Sequence, residues 1–119
     1  MARVLIVDDA MFMRVTLKKL LTEAGFEVAG EAEDGRAAVA RYRELKPDVV
    51  MMDITMPEMD GLAALREIIK ADPAAKVVMC TALGQERSVM QAMAAGAKDY
   101  ILKPFTADKV IEVVRKASG

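Results

Sequence analysis

Asp48-Val49-Val50-Met51-Met52-Asp53-Ile54-Thr55-Met56-Pro57-Glu58-Met59-Asp60-Gly61 is the stretch on which the fold turns. Four apolar side chains follow Asp48 without interruption, and Pro47 bounds them on the left. An unbroken run of that kind is the pattern of a strand covered on both faces, since a half-exposed strand would alternate. Asp53 stands where the run ends. Pro57 forbids a simple continuation of strand or helix, and Asp60-Gly61 reads as a turn into the next helix. A carboxylate is therefore carried at the end of a central strand, facing a loop. A lone Asp there can simply cap its turn; the rest of the chain weighs against that.

Val4 to Val7 repeats the pattern, ending in Asp8-Asp9. Met13, Leu17, Leu20, Leu21 and Ala24 then fall at helical spacing, with Gly25 suited to the residue past the helix end. Phe26 to Glu31 reads as a weaker strand. A helix follows from Asp34-Gly35 to about Lys46, with Val39, Tyr42 and Leu45 inward. Beyond the central stretch, Leu62, Leu65, Ile68 and Ile69 mark a third helix that stops near Asp72-Pro73. Lys76 to Cys80 is a fourth strand with Thr81 at its end. The next helix carries Val89, Met90 and Met93 on one side and stops at Gly96. Tyr100 to Lys103 is a short fifth strand broken by Pro104. Thr106 can cap the last helix, whose Val110, Val113, Val114 and Ala117 lie at i, i+3, i+4 and i+7. Strand and helix alternate five times, which implies an α/β fold: a five-stranded parallel sheet doubly wound by five helices.

The 119 residues suffice for one domain, and 54 % apolar with 29 % charged residues is ordinary for a globular protein. A net charge of −1 leaves no basic excess to neutralise phosphates, which argues against nucleic acid as a partner. No apolar run approaches the roughly 18 residues that span a bilayer, and the start turns acidic too soon for a signal peptide. A cytoplasmic location is expected. The single Cys80 sits in an apolar run and reads as buried; the ten Met residues read as packing. The absence of His removes Ser-His and Cys-His nucleophile pairs, imidazole acid-base catalysis and His metal ligands.

In a doubly wound sheet, ligands bind at the carboxyl ends of the strands, where the strand order reverses. Asp8 and Asp9, Asp53, Thr81 and Lys103 all fall at such ends. Three carboxylates in one crevice repel one another, so one is pushed towards protonation unless a cation is present. Oxygen ligands without His or Cys favour Mg2+. A divalent ion, an Asp nucleophile, a hydroxyl and an ammonium together suit phosphoryl transfer.

The motifs Asp8-Asp9, Met52 through Gly61, Thr81-Ala82, Gly96-Ala97 and Lys103-Pro104-Phe105 cover the chain from end to end. The whole resembles the receiver domain of two-component response regulators, most nearly the stand-alone chemotaxis type. That resemblance implies strand order 2-1-3-4-5 and residues 1–119 as a single receiver domain with no output domain. It implies Asp53 as the phosphoacceptor for a histidine of a sensor kinase of the chemotaxis type. Mg2+ would be held by Asp9, Asp53 and the Thr55 backbone carbonyl, with Asp8 acting partly through water. Lys103 would contact the aspartyl phosphate, and Thr81 would swing to bond it. Tyr100 would rotate inward behind Thr81 and change the partner surface; Val89, Met93 and Leu102 are either an apolar patch on that surface or plain packing. The family also carries a cis peptide before the Pro matching Pro104. Such a chain is mainly a signalling protein, a monomer that catalyses its own phosphorylation and slow dephosphorylation. Its expected partners, besides the kinase, are the flagellar motor switch protein and a phosphatase.

Thr55 stands where enteric chemotaxis regulators have Asn, and Leu83 where they have Glu; in the family these positions tune loss of the phosphoryl group, which leaves its lifetime open. A phosphorelay carrier is the alternative within the family. An Asp-nucleophile phosphatase of the haloacid dehalogenase type needs a second Asp where this chain has Thr55. A flavodoxin-like carrier needs a phosphate loop that does not follow the first strand.

Overall fold

The computed structural model describes residues 1–119. Five strands alternate with five helices: β1 (Arg3–Val7), α1 (Met11–Glu23), β2 (Glu27–Ala32), α2 (Gly35–Leu45), β3 (Val49–Asp53), α3 (Gly61–Ala71), β4 (Val77–Thr81), α4 (Glu86–Ala94), β5 (Asp99–Leu102) and α5 (Ala107–Ser118). All strand pairs are parallel and the order is β2-β1-β3-β4-β5.

The unbroken apolar runs have the cause their sequence implied. Successive side chains of a strand point to opposite faces, and here both faces are covered. Leu5, Val7, Val50, Met52, Val77 and Met79 enter one core with Ala38, Tyr42, Ala64, Leu65, Ile68 and Ala92 of α2, α3 and α4. Val4, Ile6, Val49, Met51, Val78 and Cys80 enter the other with Leu17 and Leu21 of α1 and Val110, Val113, Val114 and Ala117 of α5. Burial pushes the Cys80 thiol up to about 12, so it stays protonated and inert. Truncating a wholly enclosed side chain such as Met52 to alanine costs about 2–5 kcal/mol. The edge strand β2 is mostly half-buried, which explains its weak apolar signal.

Helix boundaries follow local chemistry. The Asp34, Asp60 and Thr106 side chains accept from the backbone N–H groups of Ala37, Ala63 and Lys109, capping α2, α3 and α5. Gly25 and Gly96 follow α1 and α4 with φ of 96° and 113°, a region that favours glycine.

Two expectations need correction: that every Met is packing, and that Lys103 belongs to the fifth strand. On α4, Ala92 is the buried residue, Val89 packs at the margin, and Met90 and Met93 are exposed. A small residue on the inner row lets the helix sit close to the sheet, which leaves the longer Met side chains outside. For the same reason the methionines are not all packing; Met11 is exposed as well. β5 ends at Leu102, so Lys103 lies just past the strand, before a cis Lys103–Pro104 bond. No helix is long and apolar enough to cross a membrane.

Candidate functional site

The strand order reverses between β1 and β3, so the crevice at their carboxyl ends lies between neighbouring strands whose connections leave to opposite faces. Asp8 follows β1 directly, Asp53 closes β3, Thr81 closes β4, and Lys103 follows β5. Asp8, Asp9 and Asp53 each offer a carboxylate oxygen, and those oxygens all lie within 4.8 Å of one another. Asp8 and Asp53 are buried and Asp9 is exposed. Hard oxygen donors at this spacing, in a chain without His, suit Mg2+.

Lys103 reaches into the cluster from the far strand. Its Nζ lies 3.2 Å from Asp8 Oδ2 and 3.4 Å from Asp53 Oδ1. Asp8 is held on its other oxygen as well, since Oδ1 accepts from Ala10 N at 2.9 Å. Arg14, from the first turns of α1, donates to the Asp8 carbonyl at 2.7 Å and pairs with Glu31 at 3.1 Å, tying the end of β1 to β2.

One ammonium does not neutralise three carboxylates. Burial pushes the Asp53 carboxyl above the usual range; the Lys103 charge pulls it down, and Asp8 and Asp9 push it up again. Lys103 shows the complement: burial lowers it, yet Asp53 and Asp8 outweigh that and hold it above its ordinary value. The crevice therefore carries excess negative charge, which a divalent cation would relieve.

Asp53 is set in place by backbone. Ile54 N donates to Cys80 O at 3.1 Å, and Gly61 N donates to Ile54 O at 2.7 Å, closing the β3–α3 loop back onto the strand end. A Cβ at Gly61 would stand 2.9 Å from both the Asp53 carbonyl carbon and Ile54 Cα. No side chain fits there. Asp53 can thus be aimed into the crevice because position 61 lacks one.

Thr81 is buried and Thr55 exposed, and a residue that sequence reasoning missed joins them. Gln85 Oε1 accepts from Thr81 Oγ1 at 3.1 Å and from Ala82 N at 2.8 Å, while its Nε2 donates to Thr55 Oγ1 at 2.6 Å. Gln85 is the residue just before α4, and its side chain folds back across the Ala82–Gln85 turn to reach Ala82 N, a contact that apolar periodicity does not signal. The bond to Thr55 joins residues 30 apart and had no signal either.

Beside this lies a cavity of about 260 Å³ bordered by Thr81, Leu83, Val89, Met90, Tyr100 and Leu102. Tyr100 and Leu102 are each 46 % exposed, Met93 40 % and Leu83 79 %. Tyr100 points outward, with its backbone paired to Met79. The structure thus gathers Asp8, Asp9 and Asp53 with Lys103 paired to Asp8 and Asp53, ties Thr81 to Thr55 through Gln85, and places Tyr100, Met93 and Leu102 on an adjoining exposed face. Val89 is half-buried there.

Comparison with known proteins matches residues 4–115 to the family model described as "Response regulator receiver domain". The chain is 60 % identical over 116 residues to "Chemotaxis protein CheY" of Thermotoga maritima, covering 98 % of this chain and 97 % of that one. It is 56 % identical over 114 residues to the Bacillus subtilis protein of the same name, covering 96 % and 95 %. Among solved structures, the CheY of a CheX-CheY-BeF3-Mg2+ complex from Borrelia burgdorferi superposes with a TM-score of 0.92 at 40 % identity, over 97 % of this chain and 87 % of that one.

Proposed function

The chain belongs to the response regulator receiver domain family, and from that premise we propose that Asp53 accepts a phosphoryl group from a histidine of a chemotaxis-type sensor kinase in a Mg2+-dependent reaction. The phosphorylated chain then signals by binding another protein, the flagellar motor switch first among candidates. The observation that carries this reading is the three-carboxylate crevice with the Lys103 ammonium touching Asp53 and Asp8. Identity to proteins named for chemotaxis over nearly their whole length supports the output.

The Asp53 carboxylate attacks phosphorus, forming a P–O bond as the P–N bond to the donor imidazole breaks; the electron pair leaves with the imidazole. The nucleophile is the ionised carboxylate, which the Lys103 ammonium beside it favours over the protonated form. Lys103, held cationic by its two partners, neutralises charge on the phosphoryl oxygens. Asp8, Asp9, Asp53 and the Thr55 carbonyl would hold Mg2+, which when bound supplies positive charge opposite the transferring oxygens. The likeness to a protein solved in a complex with BeF3 and Mg2+ supports Mg2+ as the ion. Thr81 then turns its hydroxyl to the phosphoryl group. Tyr100 follows inward, remodelling the face that carries Met93, Leu102 and Val89.

A binding titration against the N-terminal segment of the flagellar switch protein, with Mg2+ alone and with Mg2+ plus beryllofluoride, tests the output. Tighter binding with the phosphoryl mimic is expected. Uptake of the mimic without any gain in binding would overturn the motor output in favour of a phosphorelay carrier.

A further inference from the structure

Gln85 uses every hydrogen-bonding group of its amide except one N–H on residues of the crevice. Its oxygen receives two donors, the Thr81 hydroxyl and the Ala82 N–H, and its nitrogen donates to the Thr55 hydroxyl. Two donors converging on one oxygen at the end of β4 is the arrangement that an anionic oxygen would recruit. Gln85 Oε1 occupies that role here, and the amide bridges the loops after β3 and β4 as it does so.

We propose that Gln85 is a positioning residue that holds Thr81 and Ala82 away from the phosphoryl group, so that its hydrogen bonds oppose the activated state. The inference rests on the phosphoacceptor reading of Asp53. Thr81 cannot turn to an anion on Asp53 and keep its 3.1 Å bond to Gln85, because a hydroxyl has one proton to donate. Each neutral hydrogen bond is worth roughly twofold to tenfold in an equilibrium. Where the competent state is the minor one, the apparent affinity of its ligand rises in proportion as that state is populated. Removing the amide therefore makes activation easier.

The test is a fluorine NMR titration of beryllofluoride in the presence of Mg2+, on the full chain and on Gln85→Met, which keeps the side chain's length and removes both hydrogen-bonding atoms. The expected result is binding about three- to tenfold tighter in Gln85→Met. Gln85→Ala serves as the second variant and moves the same way. Thr55→Val removes the acceptor of the Nε2 bond and tightens binding less; the double variant Thr55→Val with Gln85→Met binds no more tightly than Gln85→Met alone. In the ligand-free chain, the Thr81 methyl resonance of Gln85→Met shifts towards its beryllofluoride-bound position, a change that a packing role would not produce. If the parent chain takes up no beryllofluoride, the phosphoacceptor reading falls and this one with it. If the parent binds and the Gln85 variants bind equally or more weakly, only the positioning role of Gln85 is overturned.

Discussion

Gly61→Ala tests how rigidly the crevice is built. A Cβ at position 61 would lie 2.9 Å from the Asp53 carbonyl carbon and from Ile54 Cα, whereas carbon atoms rest at about 3.5–4.0 Å. The carbon contacts must open by roughly 0.6–1 Å, and the Asp53 carbonyl oxygen, which the Cβ meets more closely still, by more than that. The opposing atoms are backbone, so no rotamer change relieves the contact. Either α3 lifts at its first turn, weakening the 2.7 Å bond from Gly61 N to Ile54 O, or Asp53 itself moves. Overpacking of this kind costs about 1–3 kcal/mol and loss of the hydrogen bond about 1 kcal/mol. Alanine's advantage over glycine in a helix returns part of that, at most about 1 kcal/mol. A net loss of about 2–3 kcal/mol corresponds to a fall in Tm of roughly 8–12 °C for a chain of this length. Circular dichroism melts of Gly61→Ala beside Gly25→Ala separate the clash from mere loss of glycine. Gly25 has a φ of 96° with nothing near its absent Cβ, so its substitution costs only backbone strain, about 1–3 kcal/mol. Phosphodonor labelling of Gly61→Ala should also slow by about a hundredfold, since a displacement near 1 Å at a reacting group has that order of effect. A Gly61→Ala chain with parental Tm and parental labelling would refute the reasoning.

Three further outcomes follow from the charges and the exposed face. Asp53 titrates higher folded than unfolded, so its favourable contribution is full below the ordinary carboxylate range and is lost as pH rises through the raised value. Asp53→Asn should therefore raise the Tm of the metal-free protein by a few degrees at neutral pH. That gain should shrink as pH falls towards the carboxylate range, and Mg2+ should stabilise the parent more than the variant. Lys103→Met leaves the buried Asp8 and Asp53 carboxylates without their cation; breaking a buried pair costs about 3–5 kcal/mol. Partial exposure of Lys103 and protonation of Asp53 reduce that to roughly 1–3 kcal/mol, which thermal melts would read as a drop partly recovered with Mg2+. Tyr100→Ala should leave labelling of Asp53 intact while weakening partner binding in the presence of the phosphoryl mimic, measured by calorimetry; unchanged binding would reduce Tyr100 to a surface residue.

Much of the fold was legible because β1, β3 and β4 are buried on both faces, and such strands announce themselves as continuous apolar runs. The strand-end residues followed, since a parallel sheet delivers its carboxyl ends to one edge. Asp8 and Lys103 are 95 positions apart and were still placed together by that rule. Reading every Met as packing fails on α4, where the inner row is the small Ala92 and Met90 and Met93 stand exposed. Gln85 escaped because its bond to Thr55 depends on how two loops approach each other, which hydrophobic spacing does not encode.

The central claim is that Asp53 is the phosphoacceptor. Treating the chain with a small phosphodonor and Mg2+, trapping the acyl phosphate by borohydride reduction and mapping it by peptide mass spectrometry measures this directly. The account predicts modification at Asp53 alone, dependent on Mg2+ and abolished in Asp53→Ala. Labelling that persists undiminished in Asp53→Ala, or that maps to another carboxylate of the crevice, would contradict it.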